Sequence, residues 1–319
     1  MRIKSRLMAG LAAAALVLGG TALAQKAQFV TVLTGGQSGV YYPLGVALAQ
    51  IMGESMDGVR ATAQVTKASA ENMNLLQAGR GEVAFALGDT VLDAWNGREE
   101  AGFKQPLENL RGFSATYNNV IQIVANADSG IRTLADLKGK RVSVGAAKSG
   151  TELNARAVFG AAGLSYDDLG RVEYLPFGES VELIKNRQLD ATFQSAGLGV
   201  ASIRDLASSV KISIVPVPED VIAKIDSPVY IPTTIPAGTY TGQDEDVPTV
   251  AIPNFLVTHA KVPDDLAYAM ARAMYDHIDE LYATHNAARD IKLENALQGM
   301  PIPVHPGVER YYREVGVLK

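Results

Sequence analysis

The stretch FVTVLTGGQSGVYYPLGVALAQI, Phe29 to Ile51, decides the fold class. Phe29 to Leu33 alternates β-branched and large apolar residues, as a strand does. The glycine-rich turn Gly35 to Gly45 follows at once, and beyond it Leu44, Leu48 and Ile51 recur at helical spacing on one face. Strand, glycine turn and helix in that order make the opening unit of an α/β domain. Such a turn also exposes backbone N–H groups at the positive end of a helix, where an anion is held well. Gly36, Gln37, Ser38, Gly39, Tyr41 and Tyr42 are therefore candidate ligand contacts. The alternative is that the glycines only tighten the turn.

Outward from this unit the alternation repeats. Arg60 to Val65 reads as a strand, Ala70 to Ala78 as a helix, and Val83 to Leu87 as a buried apolar strand, which implies a parallel sheet. Leu110 to Thr116 and Val120 to Val124 read as two strand-like runs, after which the pattern restarts as a second α/β lobe. There, Leu134 to Gly145 gives a short helix, a turn and a strand, and Thr151 to Gly163 a helix. Shorter segments between Val172 and Val215 continue the alternation. Prolines at 216, 218, 228, 232, 236, 248 and 253 mark an extended return crossing. Thr249 to Thr258 is apolar enough for a strand, with Pro253 suiting an edge or a bend. A long final helix, begun by Pro263, aligns Leu266, Met270, Met274, Ile278 and Leu281 on one stripe. Tyr311 and Tyr312 are expected to pack the C-terminal tail on the first lobe.

The first 24 residues stand apart. Arg2, Lys4 and Arg6 precede the apolar run Leu7 to Leu18, and Ala22-Leu23-Ala24 offers small residues for cleavage before Gln25. This is the pattern of a secretory signal peptide, too short in its apolar part to span a bilayer as a helix. Its loss removes three of the 29 Lys and Arg and none of the 34 Asp and Glu, moving the net charge from −5 to −8. An acidic chain of this kind makes nucleic acid an unsuitable partner. Without the leader no membrane-embedded segment is expected, so the mature chain is expected to be periplasmic.

With no cysteine in 319 residues, disulfides, thiolate metal sites and cysteine nucleophiles are excluded. The four histidines, His259, His277, His285 and His305, show no metal-ligand spacing. No phosphate-loop or nucleophile-elbow motif occurs, and Ser208 with Lys211 lacks the companions that would make its spacing catalytic. No catalytic residue, metal or cofactor is expected.

Further candidates lie at other helix starts and strand ends. Ser149-Gly150-Thr151-Glu152 matches a capping box, whose free N–H groups could also face a carboxylate, with Lys148 beside it. Lys67 sits in a turn ahead of the next helix, and Ser69 reads as that helix's N-cap. Asp89 and Thr90 follow a buried strand at its carboxyl end, where open α/β sheets bind ligands. Asp89 would either accept an ammonium group or cap a helix. The segment Gln194, Ser195, Ala196 and Gly197 offers amide and hydroxyl partners across the cleft. Glu179 and Ser180 read as helix-start residues.

Five blocks in order, GGQSGVYYPLG, SAENMNLLQAGRGEVAFALGD (Ser69 to Asp89), RTLADLKGKRVSVGAAKSGTELNARAVF (Arg132 to Phe159), LDATFQSAG (Leu189 to Gly197) and HPGVERYYRE (His305 to Glu314), carry a family likeness. Together they resemble the TAXI family of TRAP transporter substrate-binding proteins. Lys148 departs from the small residue of the family pattern. The resemblance implies a type II periplasmic-binding-protein fold, with two α/β lobes joined by crossing strands and a ligand cleft between them. One lobe would hold 25–123 with 254–319, and the other 124–253. It also implies delivery of a dicarboxylate or acidic amino acid, such as 2-oxoglutarate or glutamate, to a membrane permease. The chain is expected to act as a monomer, with the ligand's carboxylates on the Ser38 and Ser149 to Thr151 turns of opposing lobes. A ligand sensor for a receptor and a hydrolytic enzyme are the alternatives.

Overall fold

The computed structural model describes residues 27–319. The expected signal peptide, 1–24, lies outside the described residues. Strand β1 (Gln28–Leu33) runs into the glycine turn and helix α1 (Tyr41–Ser55), followed by β2 (Val59–Gln64), α2 (Ser69–Gln77), β3 (Val83–Leu87) and α3 (Gly88–Asn96). β1 pairs in parallel with both β2 and β3. All five residues of β3 are buried, the reason its sequence is a continuous apolar run.

The next strand, β4 (Leu110–Asn126), is one strand of 17 residues where the sequence suggests two runs. Its polar middle stays extended because Asn118 and Asn119 pair with Pro253 and Ile252 of a distant strand. After it come β5 (Arg141–Ser143), α4 (Gly150–Ala161), β6 (Arg171–Glu173), α5 (Phe177–Lys185), β7 (Ala191–Ala196), α6 (Ala201–Ser209) and β8 (Ile212–Val215). β5 pairs in parallel with β6 and β7. The proline-dense segment holds α7 (Glu219–Ile222), β9 (Ile231–Ile235) and β10 (Val247–His259); α8 (Asp264–Asp276), α9 (Ile278–Thr284) and α10 (Pro306–Glu314) complete the chain.

The strands form one mixed sheet in the order β2-β1-β3-β10-β4-β7-β5-β6, with β8 on β4 and β9 on β10. β4 begins against the second half of β10 and ends against β7 and β8. β10 does the reverse, from β9 to β3. These two antiparallel strands carry the sheet from one α/β lobe into the other. The return crossing is thus β10 alone, and residues 216–246 stay on one side with α7 and β9. Pro253 is not at an edge: β10 lies inside the sheet, and the pairing shifts register between Pro253 and Phe255, where proline has no N–H to donate.

The expected long final helix is two helices. It breaks at His277 (φ −118°, ψ 26°), so α9 leaves the line of α8. Leu266, Met270 and Met274 of α8 still join Leu44, Leu48 and Met52 of α1 in one core. A second core gathers Val142, Val158, Phe159 and Phe193 on the other lobe. Tyr311 stacks on Tyr275 at 6.0 Å, and the Tyr312 hydroxyl donates to the Phe113 carbonyl at 2.8 Å, which ties α10 to α8 and β4. No helix among the described residues is long and apolar enough to cross a membrane.

Candidate ligand-binding site

Four helix starts point at one place because each follows a strand of the same sheet. The Gly39 N–H donates to the Gly36 carbonyl at 3.0 Å, closing the turn before α1, whose first-turn N–H groups no side chain caps. Before α2, the Ala68 N–H donates to Thr66 Oγ1 at 3.0 Å, and the Asn72 amide donates to the Thr34 and Phe85 carbonyls at 2.7 and 2.9 Å. At α4, Ser149 Oγ accepts the Glu152 N–H at 3.1 Å and leaves the Gly150 and Thr151 N–H groups uncapped by a side chain. Pro176 and Phe177 open α5.

Between these turns lies a cavity of about 130 Å³. Gly35, Gly36 and Gly39 line one wall and Ala146, Ser149 and Thr151 the facing one; Val65 to Ser69, Pro176 and Phe177 flank them. Tyr117 and Asn119 of β4 with Ser195 and Ala196 of β7 form the floor. Among the described residues Lys67 supplies the only charged side chain of the lining, and no carboxylate lines it. Uncapped helix starts in an apolar, carboxylate-free cavity favour a negative guest.

The lobes touch on both sides of the cavity. The Glu71 N–H at the start of α2 donates to the Lys148 carbonyl at 3.2 Å. A Cβ built on Gly150 would stand 2.6 Å from Leu87 Cδ1 and 2.7 Å from Ser69 Oγ, so only glycine lets α4 approach α2 and β3 this closely. Opposite, Gly36 faces Pro176, Gly39 faces the Phe177 ring, and Ser38 faces Gly178. Ala68 (φ 71°) and Lys148 (φ 65°), non-glycine residues in the left-handed half of the map, sit in these two turns. Such strain persists where surrounding contacts hold it and concentrates at functional sites.

Of the residues singled out from sequence, Gly36, Gly39, Tyr41, Lys67, Ser69, Ser149, Thr151, Ser195 and Ala196 share the cavity. Gln37 is exposed and Tyr42 half-buried, both outside the lining, and Ser38 lies against Gly178 rather than in the wall. Lys148 is exposed and contributes its carbonyl to the lobe contact, not its charge to the lining. Gly150 lies outside the lining, against Leu87 and Ser69. Ser69 is not an N-cap: Ala68 holds that position, and Ser69 Oγ accepts the Leu87 N–H at 3.1 Å. The capping box is half made, because the Glu152 carboxylate pairs with Arg156 instead of reaching back to Ser149.

Gln194 turns away from the cavity, its Oε1 accepting from Ser202 at 2.7 Å, since neighbouring side chains of a strand face opposite ways. Gly197 lies beside the Tyr117 ring, outside the lining, and Thr90 is wholly buried. Asp89 is neither an ammonium acceptor in the cavity nor an N-cap. Its Oδ2 accepts from the Asn154 amide (2.6 Å) and the Tyr230 hydroxyl (2.7 Å) of the other lobe, and its Oδ1 from the Thr90 N–H (2.6 Å). Burial pushes its pKa up to about 6, against the hydrogen bond from Tyr230, which lowers it.

The floor residues Tyr117 and Asn119 were not singled out from sequence. Asn119 donates its amide to the Ser195 carbonyl at 2.8 Å and accepts at Oδ1 from Asn254 at 2.8 Å, while the Tyr41 hydroxyl donates to Asn254 Oδ1. This chain links both lobes through both crossing strands. Burial raises the Tyr41 hydroxyl pKa, so it stays protonated as the donor. Among the described residues no group of three or more His, Asp or Glu could hold a metal.

Comparison with solved structures agrees with this architecture. An L-cystine ABC transporter protein from Listeria monocytogenes, itself described as putative, superposes with a TM-score of 0.50 at 16% identity, covering 83% of this chain and 98% of that one. A structure described as a periplasmic transporter superposes at 0.53 with 14% identity, covering 92% and 94%. At such identities the likeness is one of fold, the type II periplasmic-binding-protein fold. The sequence profile of the NMT1-like family matches residues 32–316, nearly all of the described protein. The chain belongs to the NMT1-like family.

Proposed function

We propose that the protein is an extracytoplasmic solute-binding protein that closes on a small organic anion and hands it to a membrane permease of the TRAP type. The observation that carries this reading is one cavity walled by two helix starts from opposite lobes, Gly36 and Gly39 on one side and Ser149 and Thr151 on the other. A ligand gripped by both favours the closed form in proportion to its contacts there. The resemblance to the TAXI family that the five sequence blocks carry implies a C4 or C5 dicarboxylate, such as 2-oxoglutarate, or an acidic amino acid such as glutamate. The lobes are 25–123 with 254–319, and 124–253, and the chain is exported to the periplasm after removal of residues 1–24, where it works as a monomer. It binds and releases its ligand without chemistry.

A thermal-shift screen against glutamate, glutamine, 2-oxoglutarate, succinate, fumarate, malate and sugars tests the ligand class. Ligand at a hundred times its Kd stabilises by about 2.7 kcal/mol, a shift on the order of 5 °C for a chain of this size. A response to sugars alone overturns the anion reading. The permease assignment is tested in proteoliposomes carrying the partner permease: uptake driven by an ion gradient without ATP supports it, and a strict ATP requirement contradicts it.

A further inference from the structure

The cavity floor holds two hydroxyls that the protein itself does not satisfy. Tyr117 on β4 and Ser195 on β7 both line the cavity and are 2% and 4% exposed. Neither hydroxyl oxygen has a hydrogen-bond partner. Buried polar groups are almost always paired, so two orphans on residues that line one cavity need a reason. Their neighbours cannot supply it: the Asn119 amide is engaged with the Ser195 carbonyl and Asn254, and Asn254 with Tyr41.

The chemistry around these hydroxyls restricts the guest group. Among the described residues no arginine or lysine stands on the floor to balance a carboxylate, and no carboxylate stands there to balance an ammonium, since Asp89 lies outside the lining. Two hydroxyl donors in apolar surroundings suit a neutral oxygen, either a ketone or a hydroxyl. We infer that Tyr117 and Ser195 hold an oxygen substituent on the ligand's carbon chain, so that the site selects oxo or hydroxy acids over unsubstituted and amino acids of equal length. This deepens the anion reading and rests on it, with the carboxylates at the helix starts and the substituent on the floor.

Two matched sets of acids test it by calorimetric titration: glutarate, 2-oxoglutarate, 2-hydroxyglutarate and glutamate, and succinate, malate and aspartate. In at least one set the oxo or hydroxy acid binds tenfold or more tighter than both its unsubstituted and its amino counterpart. Tyr117→Phe and Ser195→Ala each remove most of that advantage, weakening the oxo or hydroxy acid far more than the unsubstituted acid. Because the hydroxyls are unpaired, the ligand-free variants melt no lower than the wild type. A purely structural role would instead lower the melt and weaken all acids alike, which overturns the inference. Equal binding across both sets, or an advantage that survives in both variants, overturns it while the anion reading stands. Failure of every acid in the wild type overturns both.

Discussion

Replacing Gly150 by alanine puts a methyl group where the two lobes touch. That carbon would stand 2.6 Å from Leu87 Cδ1, 2.7 Å from Ser69 Oγ and 2.9 Å from Ser69 Cβ. Carbon atoms rest at about 3.5 to 4.0 Å, so α4 has to back away from α2 and β3 by about 1 Å. Overpacking of this kind costs about 1–3 kcal/mol. The cost falls only on the closed form, because Gly150 and its neighbours Ser69 and Leu87 belong to different lobes. It therefore appears as a Kd raised about 5-fold to about 150-fold, at 1.4 kcal/mol per tenfold. With the lobes apart this contact is absent, and alanine is the better helix former, so the ligand-free melt should hold or rise slightly. Calorimetry with the strongest acid of the screen, beside a melt without ligand, separates the two effects. A Kd within twofold of the wild type, or a ligand-free melt several degrees lower, refutes the closure argument.

Other consequences follow from particular side chains. Asp89 binds a proton in the folded protein up to about pH 6 that the unfolded chain releases near 3.8. Its contribution is therefore full at low pH and lost as pH rises through 6, by about 3 kcal/mol at 1.36 kcal/mol per unit. Chemical denaturation of wild type and Asp89→Asn between pH 4 and 7 should show the wild type falling relative to the variant; parallel curves contradict the buried assignment. Ser149→Ala removes the α4 cap and should cost about 1 kcal/mol of ligand-free stability in denaturant unfolding. Lys148→Gly relieves a left-handed φ of 65° and should raise ligand-free stability by about 1 kcal/mol if the turn keeps its form. Lys67→Ala, altering an exposed charge at the mouth, should weaken acid binding more at low than at high salt in stopped-flow titration.

What the sequence displays is local. The strand, glycine turn and helix from Phe29 to Ile51 and the continuous apolar run of β3 are legible because each element's periodicity is written in its own residues. Ser149 announces its cap for the same reason. What it hides depends on distant partners. Tyr117 and Asn119 fall in a polar gap between two apolar runs and look like a turn; only the pairing with β10, more than a hundred residues later, keeps them extended and lays them across the cavity floor. Two strand-like runs divided by a short polar stretch at a lobe boundary would have been the signal to look for. Asp89 meets Asn154 and Tyr230, 65 and 141 residues away, so no local pattern reveals that it ties the lobes together instead of facing the ligand. The break at His277 carries neither glycine nor proline to mark it, and Lys148 shows how a charged side chain near a site can serve through its backbone.

The central claim is that two helix starts from opposite lobes grip one negatively charged guest. Its most direct measurement is a calorimetric titration of the best-binding acid beside its neutral amide, at equal size and ionic strength. The account predicts micromolar binding of the acid and a loss of at least tenfold for the amide; equal affinity for the two would contradict it.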